Sequence, residues 1–105
     1  MADDVLFSDF RQRLKITWED EKEDRTLKKI IESGKQYLNE IAGTEIDFNT
    51  DMVAYELLYN YVLYSRSDSI AVYRREYSSD FLRLRTKYKA RRIIDSDSDG
   101  DTVDD

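Results

Sequence analysis

The chain contains no proline and only three glycines among its 105 residues, and this feature most limits the folds open to it. Proline and glycine are the residues that most often interrupt helices, so their scarcity favours helices with few breaks. The pattern is clearest in one seam of apolar residues with successive spacings of 3, 4, 4, 3 and 4: Ile70, Tyr73, Tyr77, Phe81, Leu84 and Tyr88. That spacing places the whole seam on one side of a helix. We therefore predict a single last helix, from the turn after Ser65 to about Ile94.

Three further segments predict helices. The first is short, about residues 4–15. The second covers about residues 20–42. Thr17 with Asp20, or Asp20 with Glu23, is its candidate capping box, and Gly43 is the left-handed residue that ends it. The third begins after a connector in which Ile46 and Phe48 alternate with polar residues, and Asn49 or Thr50 is its predicted N-cap. The predicted fold class is all-α: a small bundle of three main helices plus a short N-terminal helix.

The last segment, "RRIIDSDSDGDTVDD", differs from the rest in charge. From Arg91 onward there are two arginines and six aspartates, whereas residues 1–90 carry 15 basic and 17 acidic side chains. The tail thus holds most of the net charge of −6 and offers little to bury. We predict a helical domain over residues 1–92 and a flexible acidic C-terminal tail over residues 93–105.

The tail also resembles the start of a calcium-binding loop. Its alternating carboxylates and glycine match the opening of the EF-hand pattern: Asp95, Asp97, Asp99, Gly100 and Asp101. The eighth position should be apolar but is Thr102, and the twelfth, normally a bidentate Glu, would lie beyond Asp105. These aspartates are therefore a weak metal-site candidate, and a solvated acidic tail is the favoured interpretation.

Composition argues against catalysis. The chain has no cysteine and no histidine, so it lacks the commonest nucleophile–base pairs and transition-metal ligands. It also lacks a glycine-rich loop that could cradle phosphate. We expect no enzymatic activity and no cofactor. No apolar run approaches the roughly 20 residues that a membrane span needs, so we expect no membrane partner.

Two groups of side chains are interface candidates. One combines the basic side of the last helix with the start of the tail: Arg74, Arg75, Arg83, Arg85, Arg91, Arg92, Ile93, Ile94, Asp95, Asp97 and Asp99. The other is formed by tyrosines that lie off the main apolar stripe of their helix: Tyr55, Tyr59 and Tyr64. Exposed tyrosines are enriched at protein interfaces, but these three could equally cover the edge of a small core. The basic helix could also bind DNA, although the sequence pI of about 4.7 argues against that alternative.

An ordered set of short motifs adds a resemblance to a known family. The set comprises Ile16-Thr17-Trp18, Ile30-Ile31, Gly34, Tyr37-Leu38-Asn39, Ile41-Ala42-Gly43, Ile46-Asp47-Phe48, "ELLYNYVLYSRS" and "FLRL". Through these motifs and their order, the chain resembles the head–tail connector (adaptor) proteins of tailed bacteriophages over about residues 5–88. The segment "DSDSDGDTVDD" is not part of that pattern.

The resemblance implies a structural virion protein without enzymatic activity. Members of the family are small helical domains that form a ring, typically dodecameric, below the portal protein. The ring extends the DNA channel, through which genomic DNA passes without sequence-specific binding, and docks the stopper or tail-completion protein. The expected location is the head–tail interface of the virion, after assembly in the host bacterial cytoplasm. We further hypothesise that the acidic tail orders against a basic surface of the portal or of the adjacent subunit, such as Arg74, Arg83 or Arg91.

Overall fold

Helices make up most of the described chain. A computed structural model describes the backbone of residues 2–104 and the side chains of residues 5–94. Five helices follow in chain order: α1 (Ala2–Arg13), α2 (Glu21–Ala42), α3 (Met52–Arg66), α4 (Ile70–Glu76) and α5 (Ser78–Asp104). The described backbone contains no strand. The predicted all-α class is therefore confirmed, with one more helix than expected.

Both ends of α2 lie where the sequence predicts them, and of the two N-cap candidates, Thr17 and Asp20, the structure uses Asp20. The Asp20 carboxylate accepts hydrogen bonds from the backbone N–H groups of Lys22 and Glu23, at 3.0 and 3.3 Å. At the other end Gly43 has a φ of 77°, in the left-handed region, and its N–H donates to the carbonyl of Asn39 at 2.8 Å. Both signals act within a few residues, which is why the sequence located them.

The predicted N-cap of α3 was wrong. Asp51 caps this helix, since its Oδ1 accepts from the N–H of Ala54 at 3.1 Å. Asn49 and Thr50 belong instead to a turn around Asp47, whose carboxylate accepts from the N–H of Asn49 at 3.0 Å. The preceding connector packs onto the core through the two alternating apolar residues, with Ile46 and Phe48 both buried.

The predicted single last helix is divided in two at Tyr77. This residue has a φ of −105° and a ψ of 14°, and it separates α4 from α5. The Ser78 hydroxyl donates to the carbonyl of Arg75 at 3.1 Å, a local bond that competes with helix continuation. The apolar seam survives the break, because Tyr73 on α4 and Phe81, Leu84 and Tyr88 on α5 are all buried.

The core is densest where α2 crosses α3. Gly34 lies on the buried stripe of α2, and a Cβ added there would approach Leu58 Cδ1 to 2.7 Å and Tyr61 Cδ1 to 2.8 Å. Next to this crossing Tyr73 is fully buried, and its hydroxyl donates to the carbonyl of Leu57 at 2.7 Å. Burial raises the pKa of Tyr73 well above its usual value, so this hydroxyl keeps its proton.

The end of α5 also differs from the expectation. The helix continues to Asp104, whereas the sequence predicts an end near Ile94. A helix that is already formed gains one hydrogen bond for each added residue, and no proline interrupts this stretch. The side chains of residues 95–105 lie outside the described part of the chain, so the flexibility of the acidic tail stays a prediction.

Candidate functional site

Charge is strongly divided along the described chain. Residues 70–94, which form α4 and the first part of α5, carry eight basic and two acidic side chains, a balance of +6. Residues 5–69 carry nine basic and thirteen acidic side chains, a balance of −4. We call the eight cations the basic surface: Arg74, Arg75, Arg83, Arg85, Lys87, Lys89, Arg91 and Arg92. A protein with a net negative charge thus presents one concentrated positive region.

Some members of the basic surface attach α5 to the rest of the protein. Lys87 Nζ lies 2.7 Å from Asp51 Oδ2, and the Tyr88 hydroxyl donates to the same oxygen at 2.6 Å. One turn later, Arg92 donates to the carbonyl of Ala42 at 2.6 Å. Lys87 and Arg92 therefore have structural contacts, and Arg92 is the predicted interface residue with the clearest internal role.

Asp51 is the electrostatic centre of this attachment. Its side chain is only 8% exposed, and burial alone would raise the pKa of the carboxyl. Hydrogen bonds from Lys87, Tyr88 and the Ala54 N–H outweigh burial, so the pKa of Asp51 lies below its usual value. Burial and the bond to Asp51 raise the pKa of Tyr88 to about 12. The site is thus a carboxylate that stays charged and holds two helices together.

The other cations lie further out. Arg83 is 3.5 Å from Asp80, and Arg75 is 4.0 Å from Glu76, but all four side chains are solvent-accessible. Exposed ion pairs of this kind contribute little to stability. Arg74 and Arg91 lie over the rings of Tyr37 and Tyr88, at 5.5 and 5.2 Å.

Arg85 and Lys89 are exposed on the side of α5 that faces away from its seam. Large apolar side chains accompany them there. Leu82 is 61% exposed, and Ile93 and Ile94 are 51% and 62% exposed. Apolar residues in a basic setting suit contact with another macromolecule more than they suit solvent alone.

The three candidate tyrosines make contacts inside the protein. The hydroxyl of Tyr55 donates to the Asp9 carboxylate, and the rings of Tyr55 and Tyr59 meet Phe10 edge-on at 5.3 and 5.4 Å. Tyr64 packs against Tyr73 at a ring-centroid distance of 5.7 Å. Each of the three is partly buried, which favours the core-edge interpretation. Their role in an interface stays a prediction.

A second surface was missed by the sequence analysis. An open groove of about 730 Å³ runs between the start of α1, the outer side of α2 and the connector before α3. Four carboxylates line it, and with the buried Leu6, Ile46 and Phe48 they define what we call the acidic groove: Glu32, Glu40, Glu45 and Asp47. Lys35 is the one cation among its lining residues. The alternation in "EIDF" was the available signal, because it turns Ile46 and Phe48 inward and Glu45 and Asp47 outward.

The weak metal candidates, Asp95, Asp97, Asp99 and Asp101, have side chains outside the described part of the chain, as do the corresponding interface candidates. Within the described residues, no cluster of three or more carboxylates is arranged to hold a metal ion. None of the helices, as far as they are described, has the length and apolar character to cross a membrane.

Comparison with known proteins adds no relative to this picture. No family model matches the sequence, and searches of curated proteins and of solved structures find no significant match.

Proposed function

We propose that the chain is a structural assembly subunit: a head–tail connector (adaptor) protein that forms a ring below the portal of a tailed bacteriophage. One observation carries the assembly role: a small helical domain presents two outward surfaces of opposite charge, the basic surface and the acidic groove. A subunit of a closed ring needs two different, complementary surfaces, because each copy contacts its neighbours head to tail. The ordered motifs of residues 5–88 supply the more specific identification as an adaptor.

In this proposal the partners are the portal protein on one side and the stopper or tail-completion protein on the other. Genomic DNA passes through the ring without sequence-specific contacts, and the chain catalyses no reaction and needs no cofactor. The helices form a small bundle over residues 1–92. The acidic tail over residues 93–105 stays flexible until it meets a basic surface of the portal or of a neighbouring subunit.

Electron microscopy of the purified protein mixed with portal rings tests the proposal directly. We expect a ring of added density on the tail-facing side of the portal. Portal rings without added density, at protein concentrations well above those of the portal, would contradict the adaptor role. Replacing Asp95, Asp97, Asp99 and Asp101 by Asn tests the tail, and docking should weaken most at low salt, where screening is smallest.

The balance of +6 over residues 70–94 supports a second candidate, a small DNA-binding regulator. A gel-shift titration with duplex DNA separates the two functions. A shift that weakens steeply with salt and disappears in a chain with Arg85→Glu and Lys89→Glu would favour DNA binding. No shift at low salt, together with portal density, would leave the adaptor proposal alone.

A further inference from the structure

The outward side of α5 carries a stripe suited to fill a groove. Four residues succeed one another at steps of 4, 3 and 4 and therefore lie on one side of the helix: Leu82, Thr86, Lys89 and Ile93. All four are exposed, and the exposed Arg85 flanks them. From Leu82 to Ile93 the stripe is roughly 16 Å long, from the rise of 1.5 Å per residue. The stripe contains two large apolar side chains and one cation, and Arg85 beside it supplies a second cation.

The acidic groove has the opposite character. Its floor is apolar, from Leu6, Ile46 and Phe48, and exposed carboxylates form its rim. Glu40 and Glu45 are both exposed. Its volume of about 730 Å³ is large enough for several side chains from one side of a helix. The groove therefore suits a partner that is apolar at its centre and basic at its edges.

None of the stripe residues lines the acidic groove of its own molecule. α2 and α5 pack against each other through their buried sides, Leu38 and Ala42 on α2 and Leu84 and Tyr88 on α5. The groove residues of α2 and the outward stripe of α5 lie on the opposite sides of their helices. Within one molecule, Lys87 and Arg91 of the basic surface already share a smaller pocket with Glu45 and Asp47. Arg85 and Lys89 line neither that pocket nor the groove, so they are available to the groove of a second molecule.

We infer that the outward stripe of α5, with Arg85, docks into the acidic groove of a second copy of the same chain. Leu82 and Ile93 approach the apolar floor, while Arg85 and Lys89 meet Glu40 and Glu45 at the rim. The contact is heterologous, since each copy offers its helix to one neighbour and its groove to the other. The inference rests on the proposed function in one respect: that function makes this contact the one between neighbouring subunits of the ring.

Sedimentation velocity of the full chain over a concentration series tests the contact by charge exchange. Wild-type protein should self-associate at ~50 mM salt and do so less at ~500 mM, because screening weakens such charge pairs. The double variant Arg85→Glu/Lys89→Glu and the double variant Glu40→Lys/Glu45→Lys should each lose at least about tenfold in association constant, since like charges then face each other. An equimolar mixture of the two should recover association, because each restores opposite charges to the other.

The controls use the same assay. Lys22→Glu/Arg25→Glu makes the same charge change in exposed positions at the start of α2, outside the groove lining, and should associate like wild type. Circular dichroism and thermal melting verify that every variant folds. Wild type that stays monomeric throughout the series, or a mixture that fails to recover association, overturns the inference. So does loss of association on replacing Asp95, Asp97, Asp99 and Asp101 by Asn while the groove variant associates normally, because the tail would then make the contact.

Failure of this inference is separable from failure of the proposed function. Ring density on the portal that forms equally well with the groove variant rejects the contact and leaves the adaptor role in place. Charge-dependent self-association without portal density supports the contact and rejects the adaptor role.

Discussion

Different interactions stabilise two contacts of the protein: the crossing of α2 with α3, and the packing of α5 against both of these helices. At the crossing, Leu58 and Tyr61 close over Gly34, and the contact is made of apolar and aromatic atoms. Along α5, buried aromatic residues still pack inward, but Asp51 and Arg92 add polar anchors at the points where the helix meets α3 and α2.

The difference shows how the protein can present one side of α5 to a partner without loosening the rest. Apolar packing gives the crossing most of its stability, because burial removes many methyl and ring groups from water together. Polar anchors contribute less each, but they fix the register of α5 through specific atoms. This ranking places the largest loss of stability at the crossing and the smallest at the polar anchors.

The largest effect is expected from Leu58→Ala at the crossing. Leu58 is fully buried, and its removal leaves a cavity between two helices that cannot close freely. We expect a loss of about 3 kcal/mol in the free energy of unfolding. Urea denaturation followed by circular dichroism measures it.

Leu82→Ala is the matched control, because the same side chain is lost from the outward side of α5, where it is 61% exposed. Leu82→Ala should lower the free energy of unfolding by no more than about 0.5 kcal/mol. Equal losses in the two variants would show that the outward side of α5 is part of the core, and the comparison of the two regions would fail.

Gly34→Ala should come next. The new methyl group meets Leu58 and Tyr61 at distances that force a shift in a packed region. Overpacking destabilises by roughly 1–3 kcal/mol, and the better helix propensity of Ala offsets up to about 1 kcal/mol of this. We therefore expect the free energy of unfolding to fall by about 1–2 kcal/mol.

Two further variants isolate the cause in Gly34→Ala. Ser33→Ala changes an exposed neighbour on the same helix and should leave stability unchanged or slightly raised. In a Leu58→Ala background, the cost of Gly34→Ala should shrink, because one of the two obstructing side chains is gone. Strict additivity would indicate that the helices do not approach each other at Gly34.

At the first polar anchor we predict that Asp51→Asn costs about 1–2 kcal/mol at pH 7. Asparagine caps a helix almost as well as aspartate, so the N–H of Ala54 keeps its acceptor and the loss reports on Lys87 and Tyr88. The pH dependence has a defined sign. Because the pKa of Asp51 is lower in the folded protein, its contribution is present above the unfolded value of about 3.9 and is lost as the pH falls through the folded pKa.

Urea denaturation of wild type and Asp51→Asn between neutral and acidic pH checks this prediction. The difference between them should shrink as the pH falls below about 3.9. Tyr88→Phe removes one donor but leaves Lys87 in place, so it should cost less than Asp51→Asn. Tyr88 gives the opposite pH dependence, because folding raises its pKa to about 12. Its contribution to stability is present below pH ~10 and is lost as the pH rises through about 12. A constant difference at all acidic pH values would mean that the carboxylate charge does not hold α5.

The two regions also differ in how far the sequence predicts them. Local signals were sufficient for α2, since Asp20 and Gly43 act on residues within the same helical turn. The cap of α3 was not predictable, because three neighbouring residues could all serve. Asp51 also accepts a hydrogen bond from Tyr88, which is 37 positions away, and short-range sequence signals do not reveal that contact. The acidic groove was missed for a similar reason: α1, α2 and the connector form it jointly, and no single segment reveals its shape.

The smallest effect is expected at the second anchor, from Arg92→Met. The last turn of α2 contains no basic residue of its own, so Arg92 of α5 supplies the cation that interacts with its carbonyl end. Methionine keeps most of the apolar stem but cannot donate to the carbonyl of Ala42, and a loss of about 1 kcal/mol should follow. Hydrogen exchange of the amides in the last turn of α2 should quicken in this variant, because that turn loses its partner. Arg83→Met removes an arginine of the same helix that is 80% exposed and lies outside the proposed contact, so it should change neither stability nor exchange appreciably. If Arg92→Met and its control show the same stability and the same exchange rates, Arg92 makes no stabilising contact with α2. The polar attachment of α5 would then lie at Asp51 alone.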